Sequence, residues 1–166
     1  FAQNDADRQF TFAYQLMRRG ETELAVDAFE SFNRQFDDDP RTSDAHYYLA
    51  LLSYRQGDVD AASRSLSRVT RPVTIAPAAV DLLRGQVLLV SNQPAESAKV
   101  LEQIDGAKLA DDATRSTWRY LLGVAYRSIG NDAGAAAQFE ASAKLKTSMQ
   151  AAALLEIGRA SCRERV

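Results

Sequence analysis

Between residues 6 and 40 the apolar side chains fall on one side of a 3.6-residue period, interrupted once. Phe10, Ala13, Tyr14, Leu16 and Met17 form one stripe, Gly20 breaks it, and Leu24, Ala25, Ala28, Phe29, Phe32 and Phe36 resume it until Asp37-Asp38-Asp39-Pro40. The pattern predicts two helices folded back on each other as an antiparallel hairpin. The same arrangement then recurs in phase. Small residues stand at Ala13, Ala50, Gly85 and Gly123, and turn residues at Gly20, Gly57, Asn92 and Gly130. Ala25, Ala62, Ser97 and Ala135 follow at the same offsets, and then the large apolar residues Phe29, Leu66, Leu101 and Phe139. Four columns sharing three unequal spacings, of 37, 35 and 38 residues, are the mark of a stacked array rather than of one compact bundle. The predicted hairpins cover about 6–40, 43–72, 77–106 and 112–145, with a partial helix over 146–156. The extra length of the repeats falls in the connections 37–43, 69–77 and 104–112.

Local chemistry agrees with this reading. Glycine, or asparagine as its common substitute, suits the left-handed residue after a helix C-terminus, so Gly20, Gly57, Asn92 and Gly130 mark the turns within hairpins. Asp58 and Asn131 stand where a side-chain oxygen can cap the second helix. Small residues on facing helices let the two backbones approach, and the Phe or Leu four positions on fills the space beside them.

Composition narrows the function classes. Among 166 residues 46% are hydrophobic and 25% charged, which places the chain among globular proteins. No run of about 18 apolar residues occurs, so no membrane span is expected. The net charge of −2 offers no general basic surface, so nucleic acid is not an expected partner. One Cys and one His, His46, cannot form an internal disulfide or a usual zinc site, and neither a metal nor a small-molecule cofactor is expected. Both ends call for separate reading. Phe1-Ala2-Gln3, ahead of the polar Asn4-Asp5-Ala6-Asp7, resembles the last residues of a secretory signal peptide, so 1–5 reads as a leader remnant or a disordered start. Ile157 to Val166 resembles the translation of a sequencing-library adapter, and is set apart from the fold as non-native sequence. Setting it aside removes Cys162, three Arg and one Glu, so the remainder, 1–156, has 17 basic and 21 acidic residues and is more acidic.

Few residues invite catalysis. Asp37, Asp38 and Asp39 could bind calcium, but lack the alternating ligand spacing and a later bidentate Glu, so a solvated turn is expected. Asp111-Asp112 reads as a helix start favoured by the N-terminal dipole. His46 could act as a base, yet it stands in a helix beside Tyr47 and Tyr48 with no nucleophile elbow nearby, and reads as a packed or partly exposed helix residue. Isolated glycines at helix turns offer no phosphate loop.

The columns resemble the tetratricopeptide repeat family. Leu122-Gly123, Tyr126, Gly130, Ala135 and Phe139 carry the likeness most clearly, followed by Ala45-His46-Tyr47-Tyr48-Leu49-Ala50 with Tyr54-Arg55-Gln56-Gly57-Asp58 and Ala61-Ala62. The third repeat departs, with Arg84 before Gly85, Asn92 and Ser97. The resemblance implies an all-α, right-handed α-solenoid of about four hairpins. Phe36-Asp-Asp-Asp-Pro40 and Ala45 to Leu49 are further similar to repeats of exported bacterial envelope proteins, notably the Tol-Pal cell-division coordinator and the outer-membrane assembly lipoproteins. In this architecture the first helix of each hairpin lines the concave face. The register then places Phe10, Tyr14, Met17, Arg18, Tyr47, Leu51, Tyr54, Arg55, Tyr120, Val124 and Arg127 there, as residues for gripping another protein or peptide. The competing expectation is that these Tyr and Leu only pack neighbouring first helices while the Arg are solvated. The implied function is a non-catalytic interaction scaffold, periplasmic or otherwise exported, with a cytoplasmic adaptor as the other location. A different class remains open: the accessory repeats of a larger exported peptidase or transferase continuing after Leu155.

Overall fold

Helix follows helix along the whole described chain. In the computed structural model the backbone is described for residues 2–163. Phe1, at the start of the leader-like segment, and 164–166, at the end of the adapter-like one, lie outside the described residues, as does the side chain of Cys162. The elements are α1 (Ala2–Arg19), α2 (Thr22–Gln35), α3 (Thr42–Gln56), α4 (Val59–Ser67), α5 (Pro77–Val90), α6 (Pro94–Glu102), α7 (Asp112–Ser128), α8 (Asp132–Lys144) and α9 (Gln150–Arg163). A 3₁₀ turn, Gly106–Lys108, precedes α7. Among the described residues there is no strand, and the expected all-α class is what the structure has.

The turns form for the reasons the residues supply. Gly57 has φ of 82° and ends α3, its N–H reaching Ser53 and Tyr54 carbonyls. Asn92 takes φ of 56° at the equivalent place, where its short polar side chain tolerates a left-handed backbone. Asp58 accepts the Ala61 N–H, Asn131 accepts the Gly134 N–H and Asp111 accepts the Thr114 N–H, so α4, α8 and α7 each begin on a capping side chain.

Two compact units divide the chain, 1–80 and 81–166. In the first, α1 packs on α2, α2 on α3 and α3 on α4. Its core joins Ala13, Leu16, Ala25, Phe29, Phe32, Ala45, Leu49 and Leu52, with Ala25, Phe29 and Phe32 wholly buried. Phe10 meets Phe29 and Phe32 edge-on at 5.8 and 5.2 Å, and Tyr48 stacks on Phe29 at 5.3 Å. In the second unit α6 packs on α7, α7 on α8 and α8 on α9. Gly123 is required there: a Cβ would stand 2.7 Å from the Phe139 ring, so the small-residue column sets how closely α7 and α8 approach. The divergent third repeat keeps its fit by hydrogen bonding. Ser97, fully buried, donates its hydroxyl to the Gly85 carbonyl at 2.9 Å, which satisfies a group that alanine would not bring.

Candidate binding surfaces

The residues singled out by the sequence lie on the first helices of hairpins in each unit. On α1, Phe10, Tyr14 and Met17 are half-buried against the α2–α3 core, and Tyr14 lies 5.4 Å from Tyr48, so these three wedge α1 against α3. Arg18 is exposed. On α3, Tyr47, Leu51 and Tyr54 are half-buried and Arg55 is exposed. Tyr47 meets Tyr48 edge-on at 5.6 Å. Burial pushes the Tyr47 hydroxyl pKa up, and the Arg55 charge partly opposes it. Among the described residues neither Tyr54 Oη nor the Arg55 guanidinium has a hydrogen-bond or ion-pair partner.

In the second unit Tyr120 and Val124 pack against Ala135, Phe139, Ala143 and Ala153, with Tyr120 5.6 Å from Phe139. Arg127 lies over the Phe139 ring at 5.5 Å and pairs with Glu156 of α9. Glu156 is nearly buried and also takes the Arg159 Nη1 hydrogen bond at 2.9 Å. Arg127 therefore joins α7 to α9 within the chain, and its charge is already answered.

Asp39 and His46, weighed for chemistry, have structural partners. Asp39 is not merely solvated: Arg41 holds both of its carboxylate oxygens, at 2.8 and 2.7 Å, and covers it. That hydrogen bonding keeps the Asp39 carboxyl below its usual pKa. The same guanidinium pairs with Asp7 at 2.7 Å and lies 5.2 Å from the Phe10 ring, so Arg41 ties the connection after α2 to α1. His46 Nδ1 lies 3.3 Å from Asn33 Nδ2, and burial, with Arg68 adding to it, lowers its pKa. Among the described residues no group of three or more His, Cys, Asp or Glu is placed to hold a metal ion. No helix among them is long and apolar enough to cross a membrane.

Sequence reading passed over Asp44. Its side chain is completely buried, and its carboxylate accepts the Val73 and Thr74 N–H groups and the Thr74 hydroxyl, at 2.8, 2.9 and 2.6 Å. Ser43 accepts the Thr70 and Arg71 N–H groups beside it. Together they fold the connection 68–76 back onto the start of α3. An acidic residue in the first turn of a helix looks ordinary in sequence, so nothing there marks its distant donors.

Helix hairpins with small residues at their contacts, left-handed turns and capped second helices define a tetratricopeptide-type fold. The tetratricopeptide repeat family is matched by residues 10–72. Two solved structures share the fold. The Pseudomonas aeruginosa protein PilF aligns with a TM-score of 0.74 at 22% identity, covering 99% of this chain and 72% of that one. PilW, a widely conserved type IV pilus biogenesis factor, aligns with a TM-score of 0.68 at 20% identity, covering 95% of this chain and 69% of its own. No curated protein matches the chain by sequence.

Proposed function

We propose that the chain is a non-catalytic scaffold of the bacterial cell envelope that holds a partner protein against the first helices of its hairpins. The observation that carries this reading is the pair Tyr54–Arg55 at the C-terminal end of α3: an aromatic ring and an adjacent guanidinium that have no hydrogen-bond or ion-pair partner among the described residues. Tyrosine and arginine are residue types that anchor interfaces: the ring offers a broad face at small entropic cost, and the guanidinium a planar fork of directional donors. Around them Tyr47 and Leu51 continue the same side of α3, and Arg18 is an exposed cation of α1. PilW, which shares the fold, is a type IV pilus biogenesis factor, and a partner from an assembly of that kind is in keeping with this reading.

The test is partner capture by cross-linking in intact cells, with the double variant Tyr54→Ala/Arg55→Glu against the parent chain. Loss of the cross-linked species with unchanged helical circular dichroism is expected. Unchanged capture by the folded variant would remove this surface from the proposal.

A further inference from the structure

A second surface lies on the other side of α3. Between α2, α3 and α4 the first unit carries a groove of about 450 Å³, inside the size range of small-ligand sites. Val26, Leu49 and Ala61 give it an apolar lining, and Arg34, Arg64 and Arg68 give it a basic one. Its one acidic lining residue, Glu30, lies 3.5 Å from Arg34 in an exposed pair. Arg64 and Arg68 have no ion pair or side-chain hydrogen bond among the described residues. Four residues apart, they share one side of the helix end and repel each other, an arrangement that an anion between them would relieve. A local positive field on a chain of net charge −2 is a departure from the average surface, and it focuses anions at one place.

The rest of the lining narrows the kind of anion. Beside the three arginines stand the His46 ring and the apolar Leu49 and Val26. An occupant should therefore bring carboxylates for Arg64 and Arg68 and an apolar body for Leu49 and Val26. Inorganic phosphate lacks the apolar body. A peptide carrying acidic side chains has both. We propose that this groove docks an extended acidic peptide segment of a partner protein, with Arg64 and Arg68 gripping its carboxylates.

At about 100° per residue around α3, Arg55 stands roughly 180° from His46 and about 120° from Leu49, and Tyr54 about 80° and about 140° from them, so the two surfaces are separable by mutation. The probe is an acetylated, amidated hexapeptide alternating Glu with Ala, titrated into the 15N-labelled full chain at low ionic strength. Its Gln-for-Glu counterpart, inorganic phosphate and a single-stranded oligonucleotide serve as comparison ligands. Saturable shifts confined to α2–α4 are expected with the Glu peptide. The variant Arg64→Glu/Arg68→Glu should weaken binding at least tenfold, Arg64→Gln/Arg68→Gln should weaken it less, and Tyr54→Ala/Arg55→Glu should leave it unchanged. Added salt should weaken it as well, as charge pairing at a surface requires. The proposal fails if the Glu peptide does not saturate, if the Gln peptide binds equally, if both Arg double variants bind like the parent, or if phosphate or the oligonucleotide matches the peptide.

Discussion

The two units solve the same packing problem with different means. Both use the small-then-large column, Ala25 with Phe29 in the first and Ala135 with Phe139 in the second, and all four side chains are buried. Around Phe29 the first unit gathers Phe10, Phe32 and Tyr48, so its helices are held by aromatic area and ring geometry. Around Phe139 the second has mostly alanines, and directional bonds do more. Ser116 and Ser142 bond reciprocally, hydroxyl to hydroxyl and hydroxyl to carbonyl, at 2.9 to 3.2 Å. Trp118 Nε1 donates to the Leu101 carbonyl at 2.8 Å, and Tyr126 donates to Glu102. Where apolar area is scarce, position is specified by groups that must find partners. The tetratricopeptide match, residues 10–72, falls within the first unit, where the aromatic column is fullest.

The contrast can be broken most severely at Phe29. Phe29→Ala should cost the first unit about 3–5 kcal/mol, read as a fall in the urea midpoint with protection lost in α1–α3 amide exchange. A loss below about 1 kcal/mol would deny that the aromatic cluster holds this unit. A smaller effect is expected at the serine pair of the second unit. Ser116→Ala or Ser142→Ala should each cost about 1 kcal/mol, while the double variant should cost little more than either, because it leaves no orphaned hydroxyl. Simple addition of the two losses would mean the hydroxyls act independently.

The smallest effects are in pH response, and the first unit responds at both extremes. Burial, with Tyr14 and Asp44 adding to it, raises the Tyr48 pKa to about 12. The unfolded chain then releases that proton earlier, so the contribution of neutral Tyr48 is intact below about pH 10 and lost as pH rises toward 12. His46 works in the opposite sense. Its folded pKa is below 6.5, so the unfolded state takes up the proton first and stability declines as pH falls through 6.5 and below. Urea midpoints across this range should fall at both ends for the parent and lose the alkaline arm from this residue in Tyr48→Phe.

Much of the architecture was readable because its causes are local or periodic. Gly20, Gly57, Asn92 and Gly130 take positive φ as their positions demanded, and Asp58, Asn131 and Asp111 cap the helices they precede. The surfaces were less readable, because whether a side chain is free depends on what arrives from elsewhere. Arg127 has the register of an outward-reaching cation, yet Glu156 meets it from α9. Asp39 stood in an acidic triplet that looked solvated, yet Arg41 closes over it. Arg64 and Arg68 were visible as a pair four apart, but their groove exists only because α2 and α3 bring Arg34, Asn33 and His46 beside them.

Residue order alone settled that helices form, where each hairpin turns and which small side chains allow close approach, because 3.6-residue periodicity, left-handed turns and caps act within a few residues of the chain. Tertiary structure alone decided which charges are consumed and which stay available. Pairing Arg41 with Asp39 and Asp7, sealing Asp44 under the 68–76 connection and leaving Asn33 Oδ1 unmet each depend on groups brought together by packing, where Coulomb attraction and desolvation act over a few ångströms of space and not along the sequence.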